Sequence, residues 1–449
     1  MARIALQRQA FLPHAVPCRL RYEISVTPVL SIIAARSFWL TRWRAAVIRD
    51  RASLRRYQSR KIAALSQHLA RHMEYYRPYR AQPFDQWPIM DKATLIANFA
   101  QMNLGGIDAA KVREAIAAGK ERIEGFVIGQ STGTSGNRGY YLISDAERFV
   151  WLGTILAKTL PDALWRRHRV ALALPGLSSL YRSASSGSRI SLAFFDLAES
   201  IERWADAMVA FAPDTIVAPP KVLRWLAERN MLHAANIFSG AEVLDPIDRT
   251  IIETATGRRM REIYMATEGL FGVSCKHGPL HLAEDAVHFE LGPAAPGSDL
   301  QAPIVTDFTR RSQALVRYRM NDLLELAGEP CACGSPYLAV RRIEGRADDI
   351  FRLAGPDGTL RMVTPDVMRN AVVDSDPAIR DFRIEQTGAT NIRIALEPGL
   401  LAAVDDLVIA RLGQCLSRFG LNPEIQVVRG IEPSFDRKLR RVRRLWSEP

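Results

Sequence analysis

The run best equipped to hold phosphate is residues 129–139, GQSTGTSGNRG. Its four glycines let the backbone take positive φ and approach a ligand closely. Gln130, Ser131, Thr132, Thr134 and Ser135 place donors around a nest of main-chain N–H groups, an arrangement that binds an anion. It is not a Walker loop, because it lacks Gly-Lys-Ser/Thr and does not run straight into a helix. Residues 125–128 before it and 140–143 after it read as strands. Ser144-Asp145-Ala146-Glu147 then supplies an N-cap and a capping box. The residues describe a phosphate cradle between two strands; a plain surface hairpin is the competing reading.

Four more stretches carry related chemistry. Tyr264-Met265-Ala266-Thr267-Glu268-Gly269 ends a strand with a hydroxyl and a carboxylate, suited to phosphate and Mg²⁺. Val316-Arg317-Tyr318-Arg319-Met320-Asn321-Asp322 ends in an aspartate able to grip a ribose diol. Ile343-Glu344-Gly345-Arg346-Ala347-Asp348-Asp349-Ile350 falls at a change of sequence texture. Lys438 lies within Arg437-Lys438-Leu439-Arg440-Arg441-Val442-Arg443-Arg444, where a solvated basic tail is the alternative. A separate constellation is metallic. Cys275 and His281 frame residues 276–280, and Cys331-Ala332-Cys333-Gly334 follows about fifty residues later. Two kinds of soft ligand in tetrahedral number suit structural zinc, with His277 as an alternative ligand and free thiols as the alternative to a site.

Positioning these groups requires a large scaffold. At 449 residues and 48% hydrophobic content the chain should form two or more domains. Residues 37–73 have helical periodicity, and residues 75–88 form a Pro- and Tyr-rich connection. Beyond 145, strands alternate with helices at a spacing that predicts a mainly parallel α/β sheet, whose strand C-termini build the site. From 287 the strands become short and close together, predicting a β-rich subdomain, and residues 346–449 read as a small α+β lid. The expected division is 1–85 as an N-terminal extension and helical region, 86–345 as the core, and 346–449 as the lid. Tyr181, Phe194 and Phe195 read either as an apolar pocket or as core.

The net charge of +12 suits an anionic ligand, but the excess is concentrated in residues 36–80 and at the C-terminus. Neither an aromatic ladder nor zinc-finger spacing accompanies it, so solvated helix faces fit better than a nucleic-acid surface. Five scattered cysteines do not make a secreted disulfide framework and fit a reducing cytoplasm. The apolar run 26–35 superficially resembles a signal peptide, but Pro28 and the basic sequence after it argue against one. No stretch is long enough to span a bilayer.

Taken in order, the glycine loop, Tyr-x-x-Thr-Glu, Tyr-Arg-x-x-Asp, Gly-Arg-x-Asp-Asp and a late lysine resemble the adenylate-forming superfamily of acyl-CoA synthetases, peptide-synthetase adenylation domains and luciferases. The resemblance covers residues 85 to 449. Within that superfamily the chain looks most like the phenylacetate-CoA ligase branch, and there most like a group related to the coenzyme F synthetases, which adenylylate a deazaflavin. STGTSG, EVL, TEG, HGPLHLAED, TDFTR, VRYRMND, CACGS and EGRADD carry this likeness.

The resemblance implies an ATP-dependent ligase that adenylates a small carboxylic acid, with Mg²⁺ and with coenzyme A as the expected acceptor. Adenylyl transfer to a deazaflavin-like coenzyme is the alternative. It also assigns roles. Ser131, Thr132, Gly133, Thr134, Ser135 and Gly136 would bind the β- and γ-phosphates; Gly240, Ala241, Glu242 and Tyr264 would border the adenine. Thr267 would touch the α-phosphate and Glu268 would hold Mg²⁺. Asp322 and Arg346 would bind the ribose, Asp348 would be the hinge of a mobile lid, and Lys438 would reach the phosphates from that lid. Phenylacetate-ligase relatives have a similar cysteine–histidine arrangement, implying zinc at Cys275, His281, Cys331 and Cys333. The acid itself is not implied, and the oligomeric state stays open, a homodimer included. One departure stands out: the superfamily loop commonly ends in Pro-Lys, where this chain has Asn137-Arg138-Gly139. The intact Glu268, Asp322, Arg346 and Lys438 speak against a degenerate relative turned to nucleic-acid binding.

Overall fold

The computed structural model describes residues 28–130, 139–174, 189–431 and 438–448. The predicted loop residues Ser131 to Gly136, with Arg138, Tyr181 and the extension 1–25, lie outside the described residues.

One twelve-stranded sheet runs through the body of the molecule. Its first half is parallel. Strands β4 (His168–Leu174), β5 (Ile190–Asp196), β6 (Thr215–Ala218), β7 (Asn236–Ser239) and β8 (Met260–Ala266) lie in the order β5-β4-β6-β7-β8. Apolar runs such as Val170 to Leu174 are buried throughout, as a sheet covered on both faces requires. Helices Ile201–Phe211 and Pro220–Glu228 cover one face, packing Trp204, Met208, Leu223 and Leu226 onto Ile216 and Ile237.

At β8 the sheet changes direction. Strands β9 (Gly269–Ser274), β10 (Leu280–Leu282), β11 (Val287–Pro293), β12 (Gln301–Asp307), β14 (Asp322–Leu326) and β15 (Ala339–Arg346) continue it antiparallel in the order β9-β10-β15-β14-β12-β11, with the short β13 (Tyr318–Arg319) beside β12. The β-rich stretch after 287 is thus the antiparallel half of the same sheet. Leu65, Leu69, Met73, Tyr76 and Trp87 from the preceding helical region share one buried cluster with Phe271, Leu282 and Val305.

A third cluster lies in the C-terminal part. It joins the hairpin β16 (Phe351–Ala354) and β17 (Leu360–Val363) to helices Pro365–Val373 and Ala403–Ser417 and to a four-stranded sheet. That sheet is ordered β20 (Glu424–Arg429), β19 (Asn391–Leu396), β18 (Phe382–Gln386), β21 (Val442–Arg444). The Gly355-Pro356-Asp357-Gly358 turn joins β16 to β17, with Gly358 at φ +75.

At the other end, the periodicity over 37–73 resolves into two helices, Pro28–Val47 and Arg51–His72. Asp50 separates them because its carboxylate accepts the Ser53 amide (2.6 Å) and completes a capping box. The first helix lies along Asp145–Thr159, itself started by the Ser144–Glu147 capping box. Their close approach depends on Gly153, where a Cβ would fall 2.1 Å from the Ala34 carbonyl oxygen. Ser37 Oγ donates to the Val150 carbonyl (2.7 Å) at the same crossing.

Gly153→Leu should therefore force the two helices apart and destabilise the protein by about 1–3 kcal/mol, the range for overpacking. Gly413→Ala, in a helix where a Cβ meets nothing within 4 Å, should instead stabilise by about 0.4–1 kcal/mol. Urea denaturation of both variants checks the pair; a neutral Gly153→Leu would contradict the close crossing.

Candidate active site

Stretches far apart in the chain end at one cavity of ≈ 630 Å³. Sheet geometry explains how. β8 and β9 pair through Ala266 and Gly269, so Thr267 and Glu268 are the two residues of the turn between them. This sets a hydroxyl and a carboxylate at the C-terminal end of a parallel strand, facing the cavity. The Tyr318 hydroxyl donates to Glu268 Oε1 at 3.4 Å. The neighbouring strand β7 ends at Ser239, and the Gly240 amide continues its pairing to the Ala218 carbonyl (3.1 Å). Ala241 then takes φ +68, a strained value for a residue with a Cβ, and Glu242 enters the cavity wall.

The predicted ribose pair is set by register. Asp322 on β14 is the cross-strand partner of Arg346 on β15. The Tyr264 hydroxyl, on β8, donates to Asp322 Oδ2 at 2.8 Å, joining the two predicted nucleotide-contacting groups. Burial raises the Asp322 carboxyl above its ordinary range, against the Tyr264 hydrogen bond and the charges of Arg346 and Lys438.

Lys438 lines the same cavity, although it follows Asp322 by more than a hundred residues. Burial lowers its pKa and nearby Arg346 lowers it further, while Glu242, Asp322 and Glu268 act to keep it charged. Glu242 is raised by burial, opposed first by Lys221, whose ammonium lies 3.0 Å from Oε1. Glu242 Oε2 has no hydrogen-bond partner among the described residues.

The competing picture of a solvated tail is corrected for residues 438–444. Val442–Arg444 is a strand, parallel to β18. Arg440 Nε donates to Asp349 at 3.1 Å. Arg441 is buried between Asp248 (2.7 and 3.1 Å) and Asp381 (3.0 Å). Burial opposes the Arg441 charge, but those carboxylates outweigh it and raise its pKa. Arg440 is thereby committed elsewhere, whereas Arg437 lies outside the described residues.

The expected hinge, Asp348, is exposed and held by the side chains of Asn321 and Arg444, whose Nε donates to the Asp348 carbonyl at 3.2 Å. Asn321 Nδ2 donates to its carboxylate at 2.6 Å, and its amide donates to Asn321 Oδ1 at 3.2 Å. Gly345, three residues earlier, has φ +131, which favours glycine.

The strands flanking the glycine loop are described. β2 (Phe126–Gln130) and β3 (Tyr140–Ile143) pair with Gln130 opposite Tyr140. Gly129 is required there, since a Cβ would fall 2.3 Å from the Tyr141 ring. Gly139 lines a small second recess with Tyr141 and Arg310, which shares Lys92, Thr267, Glu268 and Tyr318 with the main cavity. The loop therefore starts and ends next to the turn that carries Glu268. Of the three aromatics read as pocket or core, Phe195 is core, packed on Trp204 at 5.4 Å. Phe194 is half-buried against the cluster that also meets Val217 and Ala241.

Three participants were not singled out from the sequence: Lys221, the Tyr318 hydroxyl and Asn321. The last two sit inside a quoted motif, where only Asp322 drew attention. Lys221 gave no signal, because its partner is twenty-one residues away on another element.

The cysteine–histidine constellation also closes. One ligand atom from each of Cys275, His281, Cys331 and Cys333 lies within 4.8 Å of all the others. Cys275 Sγ is 3.7 Å from Cys331 Sγ, and Cys333 Sγ is 3.3 Å from His281 Nε2. A tetrahedral ion with metal–sulfur bonds of about 2.3 Å separates two sulfurs by about 3.8 Å, so the donor set fits zinc. His281 Nδ1 lies 3.0 Å from the Tyr337 carbonyl, which leaves Nε2 for a metal. The His277 amide donates to Cys275 Sγ (3.4 Å), and its ring is not in the cluster.

The fold matches 2-hydroxyisobutyryl-CoA ligase in its postadenylation state with R3-HIB-AMP at a TM-score of 0.62, with 17% identity over 85% of this chain and 87% of that one. The complex of the same ligase with 2-HIB-AMP gives 0.62 at 18% identity over the same shares. Its open conformation with 2-HIB-AMP and CoA gives 0.54 at 16% identity, over 85% of this chain and 89% of that one. No family model matches the sequence, and no curated protein matches it. At these identities the likeness is one of fold: the chain has the α/β fold of this 2-hydroxyisobutyryl-CoA ligase.

Proposed function

We propose that the chain is an ATP-dependent adenylate-forming ligase that converts a carboxylic acid to its acyl-adenylate and passes the acyl group to coenzyme A. The observation that carries this reading is the meeting of Thr267, Glu268, Asp322, Arg346 and Lys438 around one cavity, in an adenylate-forming ligase fold. In the first step a carboxylate oxygen attacks the α-phosphorus of ATP, and the bond to the β-phosphate oxygen breaks to release pyrophosphate. The Asp322–Tyr264 pair and Arg346 would hold the ribose. Thr267 would donate to the α-phosphate, and Lys438 would meet charge developing on the phosphoryl oxygens. Glu268 would hold Mg²⁺, which supplies positive charge to the same oxygens. In the second step the thiol sulfur attacks the acyl carbon and AMP leaves.

ATP–pyrophosphate exchange over aryl, fatty and amino acids tests the first step, and product analysis with and without coenzyme A tests the second. A product that keeps AMP on its acceptor whatever thiol is present would move the chain to adenylyl transfer. Glu268→Gln should abolish exchange while leaving the fold intact, because an amide weakens the metal site. Exchange at the wild-type rate would remove Glu268 from its role.

The same reading makes residues 346–449 a lid that turns at Asp348 between the two steps. Lys438→Ala should slow acyl-adenylate formation by about a hundredfold or more, the cost of a lost transition-state contact, and leave transfer from supplied acyl-adenylate nearly unchanged. Asp348→Pro should do the reverse, since a fixed φ obstructs rotation. Equal loss in both half-reactions of Lys438→Ala, or loss in neither, would sink the two-position lid.

The reading includes structural zinc at Cys275, His281, Cys331 and Cys333. Freshly purified protein should carry about one zinc per chain, and Cys331→Ser or Cys333→Ser should lose both the metal and thermal stability. Elemental analysis without zinc would refute this part alone.

A further inference from the structure

The helix Pro28–Val47 meets the body on one side and carries apolar residues on the other. Its inner face buries Ser37, Phe38 and Thr41. Its outer face carries Val29, Ile32, Trp39, Leu40, Trp43 and Val47, between 40% and 65% exposed. At about 100° per residue these six fall within an arc of about 100°, a continuous stripe on nearly the opposite side of the helix from the buried residues. Trp165, 53% exposed, extends the stripe by packing on Trp39 with ring centroids 5.8 Å apart. A contiguous exposed apolar stripe of this kind marks an interaction surface and calls for a partner.

The surrounding charge selects the partner. The helix contains no acidic residue. Arg36, inside the stripe, and Arg42, at its flank, are exposed, as are Arg49 just beyond the helix and Arg166 and Arg167 beside Trp165. The nearest acids are committed: Asp285 is buried against Arg44 and Lys158, Asp162 pairs with Arg166 and His168, and Asp50 caps the next helix. A second copy would set this basic stripe against itself. A surface of opposite charge with an apolar interior meets both demands, since tryptophan settles at the headgroup level and arginine reaches lipid phosphate. No helix of the described residues is long and apolar enough to cross a membrane. We propose that this stripe docks the protein on an anionic bilayer surface, lying along it rather than through it. The proposal stands apart from the adenylation reading, because none of these residues lines the cavity.

Flotation of the full chain with vesicles tests it. The protein should float with phosphatidylcholine vesicles containing phosphatidylglycerol, lose binding as salt rises, and stay behind with phosphatidylcholine alone. Trp39→Ser with Trp43→Ser should weaken binding about tenfold or more. Arg36→Gln with Arg42→Gln should weaken it about fivefold per arginine. These positions are exposed, so circular dichroism and unfolding midpoints should match wild type. Absence of flotation, equal binding to neutral vesicles, or full binding by the double tryptophan variant would overturn the proposal. So would light scattering that shows a dimer dissolved by the tryptophan changes without lipid binding. Flotation only after deletion of residues 1–27 would mean that the chain covers its own stripe, and would overturn it equally.

Discussion

The arrangement depends on charge balance in a space that excludes much of the solvent. Of the carboxylates that line the cavity, Glu242, Glu268 and Asp322 are met by Arg346 and Lys438 of its wall and, at Glu242, by Lys221. Two unit charges 4 Å apart interact by about 4 kcal/mol at an effective dielectric constant of 20, so no member is indifferent to the others. Burial acts to neutralise Glu242, Asp322 and Lys438, and the neighbours act to keep them charged. Two of the cations come from different parts of the chain: Lys221 from a helix that follows β6, and Lys438 from beside a strand of the C-terminal sheet. The C-terminal part is therefore more than a cover. A triphosphate entering this cavity adds negative charge beside these carboxylates, so the proposed chemistry needs both a divalent cation at Glu268 and the ammonium of Lys438.

Much of this was legible in the sequence, for a local reason. Residues 215–218 are a short apolar run and residues 391–396 alternate polar with apolar, and both form strands with those bounds. The Ser144–Glu147 box needs only three residues of spacing to be recognised, and it starts a helix as read. What escaped depends on distant pairing. β10 has three residues and no period of its own; it exists because β9 and β15 flank it. β21 lies in a basic run that reads as solvated, yet β18 recruits it as a parallel neighbour and Asp248 and Asp381 neutralise Arg441. Helix 28–47 is legible only from residue 37 on; its first turns lie in the apolar run 26–35, which shows no helical period of its own. For the site, Asp322 and Arg346 were read from separate motifs, but only the register of β14 on β15 makes them one feature.

The contact between the C-terminal part and the body has a composition that bears on movement. Asp248, on the helix Pro246–Thr256 of the body, is shared between Arg224 at 3.1 Å and Arg441 at 2.7 Å. Arg441 in turn is shared between Asp248 and Asp381, and its guanidinium lies 5.8 Å from the Phe382 ring centroid. Breaking a buried ion pair ordinarily costs about 3–5 kcal/mol, because one charge is left without a partner. Here separation would leave Asp248 with Arg224 and Arg441 with Asp381, each within its own part. For this pair the cost of parting is then the difference between two partners and one, while the Arg224 bond to the Arg380 carbonyl (3.0 Å) and the Arg380–Glu228 pair (3.3 Å) also cross the boundary. Asn321, on the body, holds Asp348 by two exposed hydrogen bonds that water can replace. The lid proposed for residues 346–449 needs contacts that fix one position without trapping it, and shared arginines at the interface with a solvated clasp at Asp348 have that property.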